Sequence, residues 1–139
     1  MSVINSFSKN LDILQRSMDA SLIRHSVIAD NLANAGVPGF KRSEVNFESE
    51  LKRALASEGK KPRLELRREH PLHVTGYHPR DYRDVQPRRV LDYLTATKNN
   101  GSNVDAEQEA MKLVNNQLKY NLMAQAMAFE FNQVSMVLR

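Results

Sequence analysis

The chain has 139 residues, 41% of them hydrophobic, enough for one folded domain. Only 6% are aromatic and there is no Trp, which argues against a thick aromatic core, and a net charge of +4 falls short of the dense basic face of a dedicated nucleic-acid binder. With no Cys, disulfides and thiolate chemistry are excluded while the compartment stays open, and no run approaches the ~18 apolar residues of a membrane span, so direct membrane insertion is not expected.

Residues 1–35 contain neither Gly nor Pro and predict one long helix. Counted in alternating steps of three and four, Ile4, Phe7, Leu11, Leu14, Met18, Ser21, His25, Ile28 and Leu32 form a line that is apolar at all but two positions. Such a 3,4 repeat is the seam of a coiled coil. His25, on that line, is a candidate for fixing register or partner. The opening MSVINSFSKNLDILQRSMD lacks the basic start and apolar run of a signal peptide, so any exit from the cytoplasm is expected to need no cleaved signal.

The helix should stop in NLANAGVPGF, residues 31–40, with Asn34 or Gly36 in a left-handed capping conformation. Val37-Pro38-Gly39-Phe40 then reads as a type II turn, with Pro second and Gly third. It reverses the chain.

The segment 36–101 holds all five prolines and all five glycines. Phe47–Leu55 could form a helical turn or two, and Leu64, Leu66 and Val85–Val90 short strands. No long element suggests itself, and the segment is expected to be a small, partly β, partly flexible insertion.

Residues 102–139 again lack Gly and Pro. Ala106, Ala110, Leu113, Gln117, Tyr120, Ala124, Met127, Phe131, Val134 and Leu138 make a second 3,4 seam. Ser102, Asn103 and Asp105 are candidate N-caps, with Glu107 and Glu109 placed where the helix dipole favours negative charge. The fold class is therefore mainly α, a coiled-coil hairpin of two long terminal helices (1–35 and 102–139) around an irregular middle (36–101). Helices of roughly 32 residues span about 48 Å. A compact chain of this size is about 37 Å across. Two such helices bury one seam each, leaving Leu22, Ile23, Met111, Val114, Leu118 and Leu122 uncovered. That surface implies partners.

Chemistry is sparse. Glu69, His70, His73 and His78 lie close in EHPLHVTGYHP, but Pro71 interrupts them and no helix sets their spacing, so no metal is assigned. Lys60-Lys61-Pro62-Arg63 and Arg67-Arg68 alternate with Glu58, Glu65 and Glu69, which reads as a solvated or partner-facing surface; nucleic acid is not expected. No phosphate loop, nucleophile elbow, dinucleotide fingerprint or zinc-protease helix occurs, so neither an enzyme nor a cofactor is expected.

IADNLANAGVPGFKR resembles the N-terminal signature of the flagellar rod and hook family, carried here by Asn31, Leu32, Ala33, Asn34, Pro38, Gly39, Phe40 and Lys41, with Val37 where Thr is usual. NNGSNVDAEQEAMKLVNNQLKYNLMAQAM is similar to the C-terminal motif of a short proximal-rod member of that family, through Gly101, Asn103, Val104, Asp105, Glu109, Asn116 and Tyr120; REHPLHVTG between them is similar too. The resemblance implies a structural subunit of the periplasmic rod, exported through the flagellar type III apparatus without a cleaved signal. It implies helical stacking with copies of itself, other rod subunits and the basal-body ring or adaptor, transmitting motor torque. On that reading Phe7, Leu11, Leu14, Met18, Ile28 and Leu32 pack against Leu113, Tyr120, Met127, Phe131, Val134 and Leu138, with Leu118 on a further face. A cytoplasmic helical adaptor or export chaperone is the alternative.

Overall fold

The computed structural model describes residues 2–58, 69–72, 79–95 and 99–138. Their order is α1 (Ser2–Ala33), β1 (Ser43–Asn46), α2 (Glu48–Ser57), a short 3-10 turn (Tyr82–Asp84), β2 (Arg88–Leu91) and α3 (Ala106–Val137). Two compact units result, one from residues 1–45 with 87–139, the other from 46–86.

In the first unit α1 and α3, each 32 residues and so about 48 Å long, pack on one another. Ser21 meets Asn116 and Asn31 meets Glu109, so the helices run antiparallel. Both form where helix breakers are absent. α3 opens on an N-cap: Asp105 is extended and its carboxylate accepts from the Glu107 N–H at 3.0 Å, while Glu107 and Glu109 complement the dipole. Ser102 stands just ahead, its hydroxyl accepting from the Val104 N–H at 3.3 Å.

The exit from α1 differs from expectation. Neither Asn34 nor Gly36 has a positive φ. Instead the Asp30 carbonyl accepts from both the N–H and the Nδ2 of Asn34, at 3.2 and 2.8 Å. Successive turns follow, with the Ala35 N–H donating to Leu32 O and the Val37 N–H to Asn34 O. The terminal carbonyls are satisfied by overlapping turns, so no left-handed cap is required. The left-handed residue comes later. Gly39, at φ +71°, is the third residue of the expected type II turn, closed by the Phe40 N–H donating to Val37 O at 3.3 Å.

β1 pairs with β2 in a two-stranded sheet. The Asp92 N–H, just after β2, donates to Arg42 O, just before β1, so the strands are antiparallel. The strand expected within Val85–Val90 forms at Arg88–Leu91; its partner Ser43–Asn46 has no comparable apolar pattern and was not foreseen. Leu64 and Leu66, the other strand candidates, lie outside the described residues.

In the second unit α2 forms where a helical turn was expected. It buries Leu51, Ala54 and Ser57, with Phe47 at its start and Tyr82 also buried. The Ser57 hydroxyl donates to Ala54 O at 2.6 Å and accepts from the Arg80 N–H at 3.1 Å, so one side chain closes α2 and anchors the returning chain. Asp81 caps the 3-10 turn by accepting from the Arg83 N–H at 2.9 Å.

Gly39 and Gly101 (φ +80°) have space for a Cβ, so conformation alone resists substitution. Gly39→Ala and Gly101→Ala should each destabilise by about 1–2 kcal/mol in urea denaturation. Gly36→Ala, at ordinary φ and in open space, should be neutral or slightly stabilising.

Candidate assembly surface and the clasp that orients it

The best-buried positions of the seam between α1 and α3 mix the apolar Ala20, Val27 and Ile28 with the polar Ser21, Asn31, Glu109 and Asn116. Asn31, 1% exposed, uses its whole amide: Nδ2 donates to Glu109 Oε2 at 3.0 Å and Ser43 O at 2.8 Å, and Oδ1 accepts from the Ser43 N–H at 2.9 Å. Glu109, as deeply buried, also accepts from Lys112 Nζ at 3.0 Å, and Lys112 reaches Glu44 at 3.1 Å. About ten residues back along α1, the Ser21 hydroxyl donates to Asn116 Oδ1 at 2.9 Å while Asn116 Nδ2 returns a bond to Ser21 O at 2.8 Å. Buried amides with every group paired fix register, because a slip leaves them unsatisfied in a dry seam.

A second set ties the loops at the end of the hairpin. Asn103 Oδ1 accepts from the Arg42 N–H at 2.7 Å, and its Nδ2 donates to Asp92 O and Thr95 Oγ1 at 2.9 and 3.0 Å. The Gly39 N–H donates to Asn100 O at 3.0 Å, and Lys41 Nζ to Thr95 O at 2.9 Å. Arg42 Nε meets Asp92 at 3.2 Å. The Asp92 carboxyl is held below its ordinary value chiefly by the Thr95 hydroxyl, against some desolvation, with help from the Thr95 N–H, the Arg42 guanidinium and the Leu94 N–H. Val104 and Ser102, both fully buried, fill the base of this region. The two motifs of the sequence, 70 residues apart, are thus halves of one clasp. Asn31 and Asn103 are its centres, Gly39 turns the chain into it and Asp105 starts α3 out of it, whereas Pro38 and Ala33 are exposed and Asn34 and Phe40 half-buried.

The seam is displaced from the one read by apolar spacing. In α1 the column of Phe7, Leu14, Ser21 and Ile28 does face inward: Ile28 is buried, Phe7 and Leu14 half-buried. The other column shifts by one residue only towards the end of the helix: Leu11 and Met18 are half-buried, as is Ser17, but Arg24 and Asn31 turn inward where His25 and Leu32 are exposed. The register role expected of His25 therefore belongs to Asn31 and Ser21. In α3 the column Leu113, Tyr120, Met127, Val134 is half-buried, but its companion is Glu109, Asn116, Met123 and Glu130; of the companions read by spacing, Ala124 is half-buried and Ala110, Gln117 and Phe131 are exposed. Phe131 (55% exposed) and Leu138 (81%) are not buried by this intrachain seam.

What faces outward is apolar. Met111, Leu118, Leu122, Phe129 and Met136, each more than half exposed, fall within a narrow sector of α3 opposite the seam. Val114 flanks them, and α1 exposes Leu22 and Ile23. A contiguous stripe of this length exceeds the patch a lone monomer normally leaves bare. Leu118, expected on a further face, lies at its centre.

The candidate metal cluster leaves little to describe: His73 and His78 lie outside the described residues, and His70 Nδ1 accepts from the Leu72 N–H at 3.2 Å in a local turn. Among the described residues no group of three or more His, Asp or Glu is placed to hold a metal, and no described helix is long and apolar enough to cross a membrane. The basic runs 60–63 and 67–68 are likewise outside the described residues.

An α-helical hairpin clasped at its loop end and apolar on its outer face is built for association, and its N-terminal half carries the mark of a known class: the profile described as "Flagella basal body rod protein" matches residues 11–41. Flagellar basal body rod protein FlgB of Borreliella burgdorferi is 41% identical over 136 residues, covering 98% of this chain and all of that protein. The protein of the same name from Borrelia hermsii gives the same identity over the same span, and that of Bacillus subtilis is 28% identical over 95% of both chains. The chain belongs to the FlgB family of flagellar basal body rod proteins.

Asn31→Ala removes three buried hydrogen bonds and strands Glu109 and the Ser43 backbone; a loss of about 2–4 kcal/mol in urea denaturation is expected. Ser43→Ala should be neutral or stabilising, since its own buried hydroxyl finds no partner among the described residues. Because Asp92 is depressed in the folded state, its contribution is complete above the unfolded value of 3.8 and fades as pH falls through the lower folded value. The Thr95 amide NMR signal should therefore hold steady from about pH 8 to 5 and shift only below about 4; a transition near pH 6 would contradict this.

Proposed function

We propose that the chain is a structural subunit of the proximal part of the flagellar rod, stacking helically with copies of itself and with other rod subunits so that torque passes through their helices. Its place is the flagellar basal body rod, in assembly with other basal-body components, and its family is structural, not enzymatic. The observation that carries the mechanism is the outward stripe Met111–Leu118–Leu122–Phe129–Met136, which the hairpin cannot cover by itself. Burying each such side chain contributes roughly 1.5–3 kcal/mol, part of which offsets the entropy of fixing neighbouring subunits. Phe131, Leu138 and Leu32, with the half-buried Phe7, Leu11, Leu14, Met18, Leu113, Tyr120, Met127 and Val134, would complete their burial in the polymer beside Ile28, which the hairpin already buries. Growth would be heterologous, following a screw operation and not a closed ring. Delivery would use the flagellar export apparatus without a cleaved signal, with the ring or adaptor at the base as neighbour. A cytoplasmic adaptor or export chaperone finds no support in the relatives, all of which bear the rod-protein name.

Leu118→Asp or Phe131→Asp places a charge on an exposed position and should leave the hairpin folded and the subunit secreted. Incorporation into purified basal bodies, and with it motility, should fall to background. Normal swimming by either mutant would reject the proposal.

A further inference from the structure

α3 has two faces that could seal a seam. Its inner face carries Glu109, Asn116 and Glu130 among Leu113, Tyr120, Met123, Met127 and Val134; its outer face carries Met111, Leu118, Leu122, Phe129 and Met136 among the exposed Glu107, Asn115, Gln125 and Gln133. Each face offers five apolar side chains, so hydrophobic burial, at about 25 cal/mol per Å2, does little to choose between them. The groups able to choose lie in the buried part of the seam: Ser21 and Asn116 exchange two hydrogen bonds, and Glu109 accepts from Asn31 and Lys112. Rotating α3 would carry Glu109 and Asn116 into solvent and take from Ser21 and from one Nδ2 proton of Asn31 their partners across the seam, while Asn31 keeps both bonds to Ser43. Leaving a buried polar group unpaired costs more than its hydrogen bond is worth when made.

We infer that the Ser21–Asn116 and Asn31–Glu109 pairs are rotational locks that set which face of α3 points outward, and so keep the stripe centred on Leu118 available in the folded chain. The two pairs act as positioning residues; neither belongs to the outer surface itself. The locks operate in the free chain, whatever partner later covers the stripe. They cluster between 20–31 of α1 and 109–116 of α3, where the buried residues of both helices lie, while the outer stripe extends well past them to Met136. A local polar device thus sets the orientation of a helix over its whole length, since an α-helix is torsionally stiff over this distance.

The chain has no Cys, so single thiols report cleanly. Leu118→Cys marks the outer face and Tyr120→Cys the inner, each placed in the otherwise unaltered chain and in a lock-free variant (Ser21→Ala, Glu109→Leu, Asn116→Leu). In the unaltered chain Cys at 118 should react with a maleimide about tenfold faster than Cys at 120. In the lock-free variant that ratio should vanish or invert, with helix content by circular dichroism unchanged. An exchanged pair, Ser21→Asn with Asn116→Ser, restores a hydrogen-bonding couple and should restore the original ratio. An unchanged ratio in a folded lock-free variant would overturn the inference. So would loss of helix in that variant, which would make these groups necessary for folding and not selective between faces, and so would an exchanged pair that is folded but inverted.

Discussion

A single buried side chain, the amide of Asn31, joins three parts of the chain that are distant in sequence. It holds Ser43 by both backbone groups, at the entry to the first strand, and Glu109 by its carboxylate, in the first turns of the last helix. An amide in that position must have all its bonds or cost the fold several of them. The rest follows in order: the reversal at Gly39, the start of α3 at Asp105, the antiparallel pairing of the long helices, and the register in which they meet.

The buried part of the seam combines Ser21, Asn31, Glu109 and Asn116 with Ala20, Val27 and Ile28, while Leu118, Phe129 and Met136 stay exposed. Polar specificity inside together with an apolar stripe outside suits a subunit whose stability is completed by neighbours. The exposed surface is extended along α3, as an interface repeated along a polymer axis needs to be. The compact unit 46–86 has its own small core around Phe47, Leu51, Ala54 and Tyr82.

The long helices were legible because absence of Gly and Pro over more than thirty residues, with a sustained 3,4 repeat, admits little else. The turn at 37–40 was legible for the same local reason: Pro then Gly specify its dihedrals. The seam was only half legible. Each helix has one apolar column that does face inward, but apolar spacing points to Leu32 and Gln117 for the neighbouring column, where Asn31 and Asn116 are the buried residues. A polar column at seven-residue spacing (Arg24 and Asn31; Glu109 and Asn116) was the available signal, and it reads as surface unless a partner is known for each member. Ser43, Arg42 and Asp92 carried no pattern at all, since their roles arise from contacts some 12 to 60 residues away. Asn31 stood out by resemblance alone and Asn103 also as an N-cap candidate, a role that Asp105 takes; the structure supplies the reason both residues are needed.

The free subunit is held together at the clasped stretch, where the polar pairs meet the buried Ala20, Val27 and Ile28, and not along the longer, more exposed remainder of the helices. Hydrogen exchange on the purified chain tests this most directly, residue by residue along α1 and α3. The account predicts the slowest amides at 20–31 and 109–116, with faster exchange along the apolar remainder of both helices. Slowest exchange along residues 118–136, with the region around Asn31 opening first, would contradict it.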